Sequence, residues 1–224
     1  MCTIVFIPTT KDGFVLAHNR DESPTRKRAL PPQNVAINDV SVLAPIDGSK
    51  QGTWIFSNNK RTVLLFNGAL VKHQHRPPYN RSRGKIVFEV LDFDNHDQFL
   101  EDVDLTGVEP FTQILINHKQ MKIDELVWDG HEKLHTVLAW SPFIRSSSTL
   151  YNAEVKKIKE AQFRNWLNEN RAEDVMQFMQ NKDFEVPIIL ESSLVKTIST
   201  TLVNYENGAT TMRYFDYLSE TEAV

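Results

Sequence analysis

From Thr3 to Ile7 every position is apolar or β-branched, and Phe14 to Ala17 repeats the pattern. Continuous short runs of this kind predict strands covered on both faces. Between them, PTTKDG carries an Asp12-Gly13 turn signal, so the two runs form a hairpin. SPTRKRALPPQN reads as a polar, proline-bearing loop, Val35 to Leu43 as one strand, and PIDGSKQG as a turn. GTWIFSNNKRTVLLFNGA predicts a second hairpin turning at Asn58-Asn59, and VKHQHRPPYNRSRG a long basic loop after it. Lys85 to Phe93 and His96 to Val103 are patterned as helices. FTQILIN, KIDELVWDG and KLHTVLAW form a three-stranded meander broken at Asn117-His118 and Asp129-Gly130.

The period changes between Leu150 and Asn170. Val155, Ile158, Gln162, Phe163 and Trp166 fall at helical spacing, with Lys156, Lys157, Lys159 and Glu160 assigned to a solvated face. SSST, at Ser146 to Thr149, is positioned to cap this helix, and a shorter helix covers Glu173 to Gln180. KTISTTLVNYENGATTMRYFD closes the chain as a hairpin turning at Asn207-Gly208. There is no internal repeat and no linker, so the expectation is one domain over residues 1–224. Hairpins this tight require antiparallel sheets, and strands apolar on both faces require cover on both sides. An α+β fold with two stacked antiparallel sheets and helices outside meets both demands.

Composition narrows the function classes. A chain of 224 residues with 41% hydrophobic and 24% charged residues is large enough to bury a full core. Its net charge of −4 argues against nucleic acid as a partner. The apolar start lacks the basic leader of a signal peptide, and no run approaches the ~18 residues needed for insertion in a membrane. A single cysteine excludes an internal disulfide, which fits a reducing cytoplasm. No cofactor fingerprint or phosphate-cradling loop is present. His73 and His75 have an H-x-H spacing without a third ligand, so a solvated loop is expected there rather than zinc.

That one cysteine is Cys2. Once Met1 is trimmed, it carries a free amine beside its thiol, and an α-amine titrating near ~8 can take the thiol proton. If Ile7 and Phe14 bracket the turn, Cys2 lies opposite Asn19, and HNRDE crosses at the same sheet end. A slip of one residue would exchange which of Arg20 and Asp21 points at Cys2. Asp21 could orient the amine, and Arg20 could bind a substrate carboxylate as a fork. Asn19 stands beside them as a further binding candidate, and Arg81 in the basic loop offers a second cation for an anionic small molecule. Asn67, before Gly68 at a strand end, could donate to an oxyanion.

MCTIVF, HNRDE, GTW and LLFNGA together resemble the NRDE family, also called the Transport and Golgi organisation 2 family, over nearly the whole chain. That family is similar to the N-terminal-nucleophile (Ntn) hydrolases of the bile salt hydrolase and penicillin V acylase type. The resemblance implies a four-layer αββα sandwich, a Cys2 nucleophile attacking a linear amide, Asp21 orienting its amine and Asn67 in the oxyanion hole. Three positions depart from the acylases: His18 stands in place of an arginine, SSST in place of a second asparagine, and Ser199 in place of a late arginine. These departures raise the alternative of a non-catalytic carrier or chaperone for a small ligand, haem or a lipid, in the same cleft.

Overall fold

The structure is a computed structural model that describes residues 2–9, 12–219 and 221–223. Backbone contacts gather into two compact units. One holds the residues up to Arg26 together with those from Ser141 onward, and the other holds Lys27–Trp140.

In the first unit, β1 (Cys2–Pro8), β2 (Phe14–Glu22), β10 (Phe143–Ser146), β11 (Lys196–Glu206), β12 (Ala209–Asp216) and β13 (Thr221–Ala223) form one antiparallel sheet. Their order is β10-β1-β2-β11-β12-β13, which puts the opening hairpin inside the sheet. Accordingly, β1 and β2 are buried along nearly their full length. Val5, Ile7, Val15 and Ala17 share one face, as strand alternation requires. They pack there with Ile144 and Leu202 against Phe163, Val175 and Phe178. Those aromatic and branched residues come from α3 (Ala153–Glu169) and α4 (Val175–Met179). Phe178 is wholly buried, with ring centroids 5.2 Å from Phe163 and 5.4 Å from Trp166.

The second unit is a seven-stranded antiparallel sheet in simple sequence order: β3 (Leu30–Ile37), β4 (Val40–Ile46), β5 (Ile55–Ser57), β6 (Arg61–Asn67), β7 (Phe111–Asn117), β8 (Lys122–Trp128) and β9 (Lys133–Leu138). Ile86, Val87, Phe99 and Leu100 of α1 (Arg83–Glu89) and α2 (His96–Asp102) close its core with Phe56, Leu65 and Leu115. The Gly-Thr-Trp block is a clamp within this unit. A Cβ on Gly52 would lie 2.6 Å from the Gly84 carbonyl carbon, and Thr53 donates its backbone N–H to the Gly84 oxygen at 3.0 Å. The Thr53 hydroxyl reaches the Pro45 and Ile55 carbonyl oxygens, each at 2.7 Å.

Several expectations are corrected. The strand predicted over Val35–Leu43 is a hairpin, β3 and β4, whose turn residues Asn38 and Asp39 take positive φ. Pro31 and Pro32 belong to β3, an edge strand, and are tolerated because they fall where its pairing with β4 is interrupted between Leu30 and Gln33. SSST does not cap α3: Ser146 ends β10, and Asn152 caps the helix by accepting the Val155 N–H at 2.9 Å. The opening hairpin pairs Cys2 with Arg20, and Thr3 with Asn19, one residue away from the expected register. Its strand extends to Pro8, which pairs with Phe14, and Thr9 N–H closes the turn onto the Gly13 carbonyl at 3.1 Å. Of the turn sequence, Thr10 and Lys11 lie outside the described residues.

Candidate functional site

The shifted register decides what surrounds Cys2. Alternation along β1 and β2 places Thr3, Asn19 and Asp21 on the face that carries Val5 and Ala17 and is covered by α3 and α4. Cys2, His18 and Arg20 point from the opposite face. Thiol and carboxylate therefore belong to opposite faces of the sheet, at the end where Cys2 begins β1.

Cys2 is 4% exposed, and burial pushes its thiol upward from the ordinary range, opposed in part by the Arg20 charge. Asp21 is fully buried. Its Oδ1 accepts the Thr197 hydroxyl at 2.6 Å, whereas Oδ2 is buried with no hydrogen-bond partner. Burial raises this carboxyl to about 6, against the lowering influence of the Thr197 hydroxyl and of Lys159. Arg20 lies within β2 and is 5% exposed, with Ser199 as its cross-strand neighbour on β11. His18 is fully buried without a partner on either ring nitrogen, and burial drives it to about 3, so it is neutral.

Asn19 is occupied within the protein. Its amide donates to the Met179 carbonyl at 2.8 Å, and its oxygen accepts the Thr200 hydroxyl at 2.6 Å. Ser147 donates its backbone N–H to the Cys2 carbonyl at 2.9 Å, and Ser147 in turn receives Tyr151 N–H at 3.0 Å, which ties the segment before α3 to the first residue of β1. Tyr151 also lines a cavity of about 280 Å³ with Val186, Pro187, Ile189, Leu190 and the Lys182–Glu191 ion pair.

Asn67 and Arg81 belong to the other unit. Asn67 is the half-buried last residue of β6, followed by Gly68 at φ 92°, so the chain does turn at the strand end as expected. Arg81 is held by Glu89 at 2.6 Å and by the Asp104 carbonyl, which fastens the basic loop to α1. The His73–His75 segment is not simply solvated. Both imidazoles meet Glu109 Oε1 at 3.1 Å, and Arg83 holds its other oxygen at 3.0 Å.

Lys159 is the residue that pattern reading misplaced. It is wholly buried, donates to Thr3 Oγ1 at 3.0 Å, and lies 3.8 Å from the Tyr151 ring centroid. The missed signal is its spacing: Val155, Lys159, Phe163 and Leu167 recur every fourth residue, on the buried stripe of α3.

No helix among the described residues is long and apolar enough to cross a membrane. No curated protein matches the sequence. Among solved structures, a mutant conjugated bile acid hydrolase from Clostridium perfringens matches with a TM-score of 0.50 at 11% identity, over 99% of this chain and 94% of that one. Such a match shows the fold alone, the Ntn-hydrolase-like α+β sandwich expected from the sequence. The family model for Transport and Golgi organisation 2 matches residues 1–214. Cysteine, NRDE block and fold thus come together in one chain, which belongs to the Transport and Golgi organisation 2 family.

Proposed function

We propose that the chain is a cysteine N-terminal-nucleophile hydrolase that cleaves the carbon–nitrogen bond of a small linear amide. The observation that carries this reading is the partnerless, buried Oδ2 of Asp21 at the sheet end where Cys2 begins β1. Removal of Met1, which lies outside the described residues, would leave Cys2 with an amine to meet that oxygen. The amine takes the thiol proton, the thiolate attacks the amide carbonyl, and the leaving nitrogen departs with the proton. Water then hydrolyses the thioester and restores the thiol. Arg20, on the same face as the thiol, supplies the positive charge for an anionic substrate group. The fold shared with a hydrolase supports the reading.

The test is intact mass of the expressed protein, followed by turnover of a panel of small amides read as amine release. Loss of Met1, labelling of Cys2 by an electrophilic amide analogue and no turnover in Cys2→Ala are expected. Full turnover in Cys2→Ala would remove the proposal.

A second reading, carriage of a small ligand, draws on the largely apolar cavity beside Tyr151. It differs in outcome: a ligand co-purifies, Met1 stays in place, and no amide in the panel is cleaved.

A further inference from the structure

An ammonium group buried as completely as that of Lys159 is costly unless charge and hydrogen bonds compensate it. Its surroundings are sparse. Thr3 Oγ1 accepts one hydrogen bond and itself lies 3.2 Å from Ser146 Oγ, and the Tyr151 ring faces the charge. A methionine would fill the same space between Val155 and Phe163 without that cost. Among the described residues, the carboxylate whose field reaches Lys159 is Asp21, on the helix-covered face of β2, and it too has an unsatisfied oxygen. Two incompletely satisfied, oppositely charged groups from different elements thus face one end of the sheet, with Thr3 beside Lys159 and Thr197 on Asp21.

We propose that Lys159 is a positioning residue for the Cys2 site: its ammonium, delivered from α3, is the counter-charge that keeps the Asp21 carboxylate ionised beneath residue 2. The catalytic meaning of this assignment rests on the hydrolase reading, but the electrostatic pairing does not. Asp21 is faced by Lys159 from α3 and by Glu22 from its own strand, and its charge is felt by the Cys2 thiol and the Tyr151 phenol. Lys159 is faced by Asp21 and by the Tyr151 ring, whose centroid lies 3.8 Å from its nitrogen. Arg20 and the neutral His18 point from the other face of β2. Burial lowers Lys159 to about 8 and Asp21 opposes that fall, so both groups are predominantly charged at neutral pH.

The pairing is tested by reciprocal titration, because a coupling between two ionisable groups acts equally on both. In protein labelled with carbon-13 at its aspartate carboxyls, NMR reads the Asp21 midpoint in the wild type and in Lys159→Met. The midpoint is expected to rise by about one pH unit in the variant, while those of the remote Asp104 and Asp129 stay in place. In the second arm, with label at the lysine Cε, Asp21→Asn should lower the Lys159 midpoint by a similar amount. Unchanged midpoints in both arms overturn the proposal, and if Lys159→Met fails to fold, the Asp21→Asn arm decides alone. Neither titration reads turnover. A negative result here therefore leaves the hydrolase reading standing, and shifted midpoints in an inactive protein would leave this one.

Discussion

Replacing Asp21 by asparagine should change the protein's stability by an amount that depends on pH in a known direction. Raising a buried carboxyl from its ordinary 3.8 to about 6 costs roughly 3 kcal/mol once it is ionised, at about 1.36 kcal/mol per pH unit. The folded chain holds this proton more tightly than the unfolded chain. The cost is therefore absent below about pH 4, grows as pH rises, and is complete above about pH 6. About 1.4 kcal/mol of it falls between about pH 5 and about pH 7.5. Asparagine keeps the oxygen that accepts the Thr197 hydroxyl at 2.6 Å and never ionises. Other groups titrate in the same window, so the informative quantity is the difference between variant and wild type. Urea unfolding of both proteins at the two pH values supplies it. Relative to wild type, Asp21→Asn should gain at least about 1.4 kcal/mol at the higher pH, since the fall of Lys159 that follows loss of its counter-charge acts in the same direction, whatever fixed offset the new amide introduces. A difference that stays constant would refute burial as the dominant influence on Asp21.

Two more outcomes follow from the same structure. His18 at about 3 and His118 at about 4, both lowered mainly by burial, stay neutral in the fold while the unfolded chain takes up protons. Stability should thus fall as pH drops below about 6.5, and His118→Gln should reduce that loss in acid unfolding curves. Phe178→Ala, at the centre of the packing between α4 and α3, should cost about 3–5 kcal/mol in urea denaturation, without shifting the Asp21 midpoint.

The interior strands were legible because both their faces are covered, so β1, β2, β6, β7 and β8 appear as apolar runs bounded by turn residues. Elements at sheet edges were not. The turn at Asn38-Asp39 has no glycine to announce it, and the exposed β3 on its far side carries two prolines that read as loop. β10 is four residues long and β13 three, too short for a period to emerge. At the site, the neighbourhood of Cys2 and HNRDE could be read from hairpin logic. The register could not, because it depends on whether Pro8 still pairs, and that choice alone set Arg20 opposite the thiol. Lys159 was missed for another reason: its charge outweighed its spacing, although position i+4 from Val155 already placed it on the buried stripe.

That misreading bears on what the sheet end is for. Interiors accept polar groups when every one is satisfied, as in the Asn19–Thr200–Tyr217 chain, where hydroxyl contacts of 2.6 and 2.7 Å run into a further bond from Gln180. Two steps away, Asp21 keeps an unpartnered oxygen and Lys159 has a single hydrogen-bond acceptor. Packing alone would favour apolar residues at both positions, since replacing a buried ionic pair by hydrophobic side chains is commonly neutral or stabilising. A fold that retains both charges, one residue from its only thiol, gives up stability there. Such a loss is the usual mark of a site held for chemistry or for a charged ligand. The carboxylate lies on the helix-covered face and the thiol on the other, and on the proposed hydrolase reading the Cys2 nitrogen is the group that would join them.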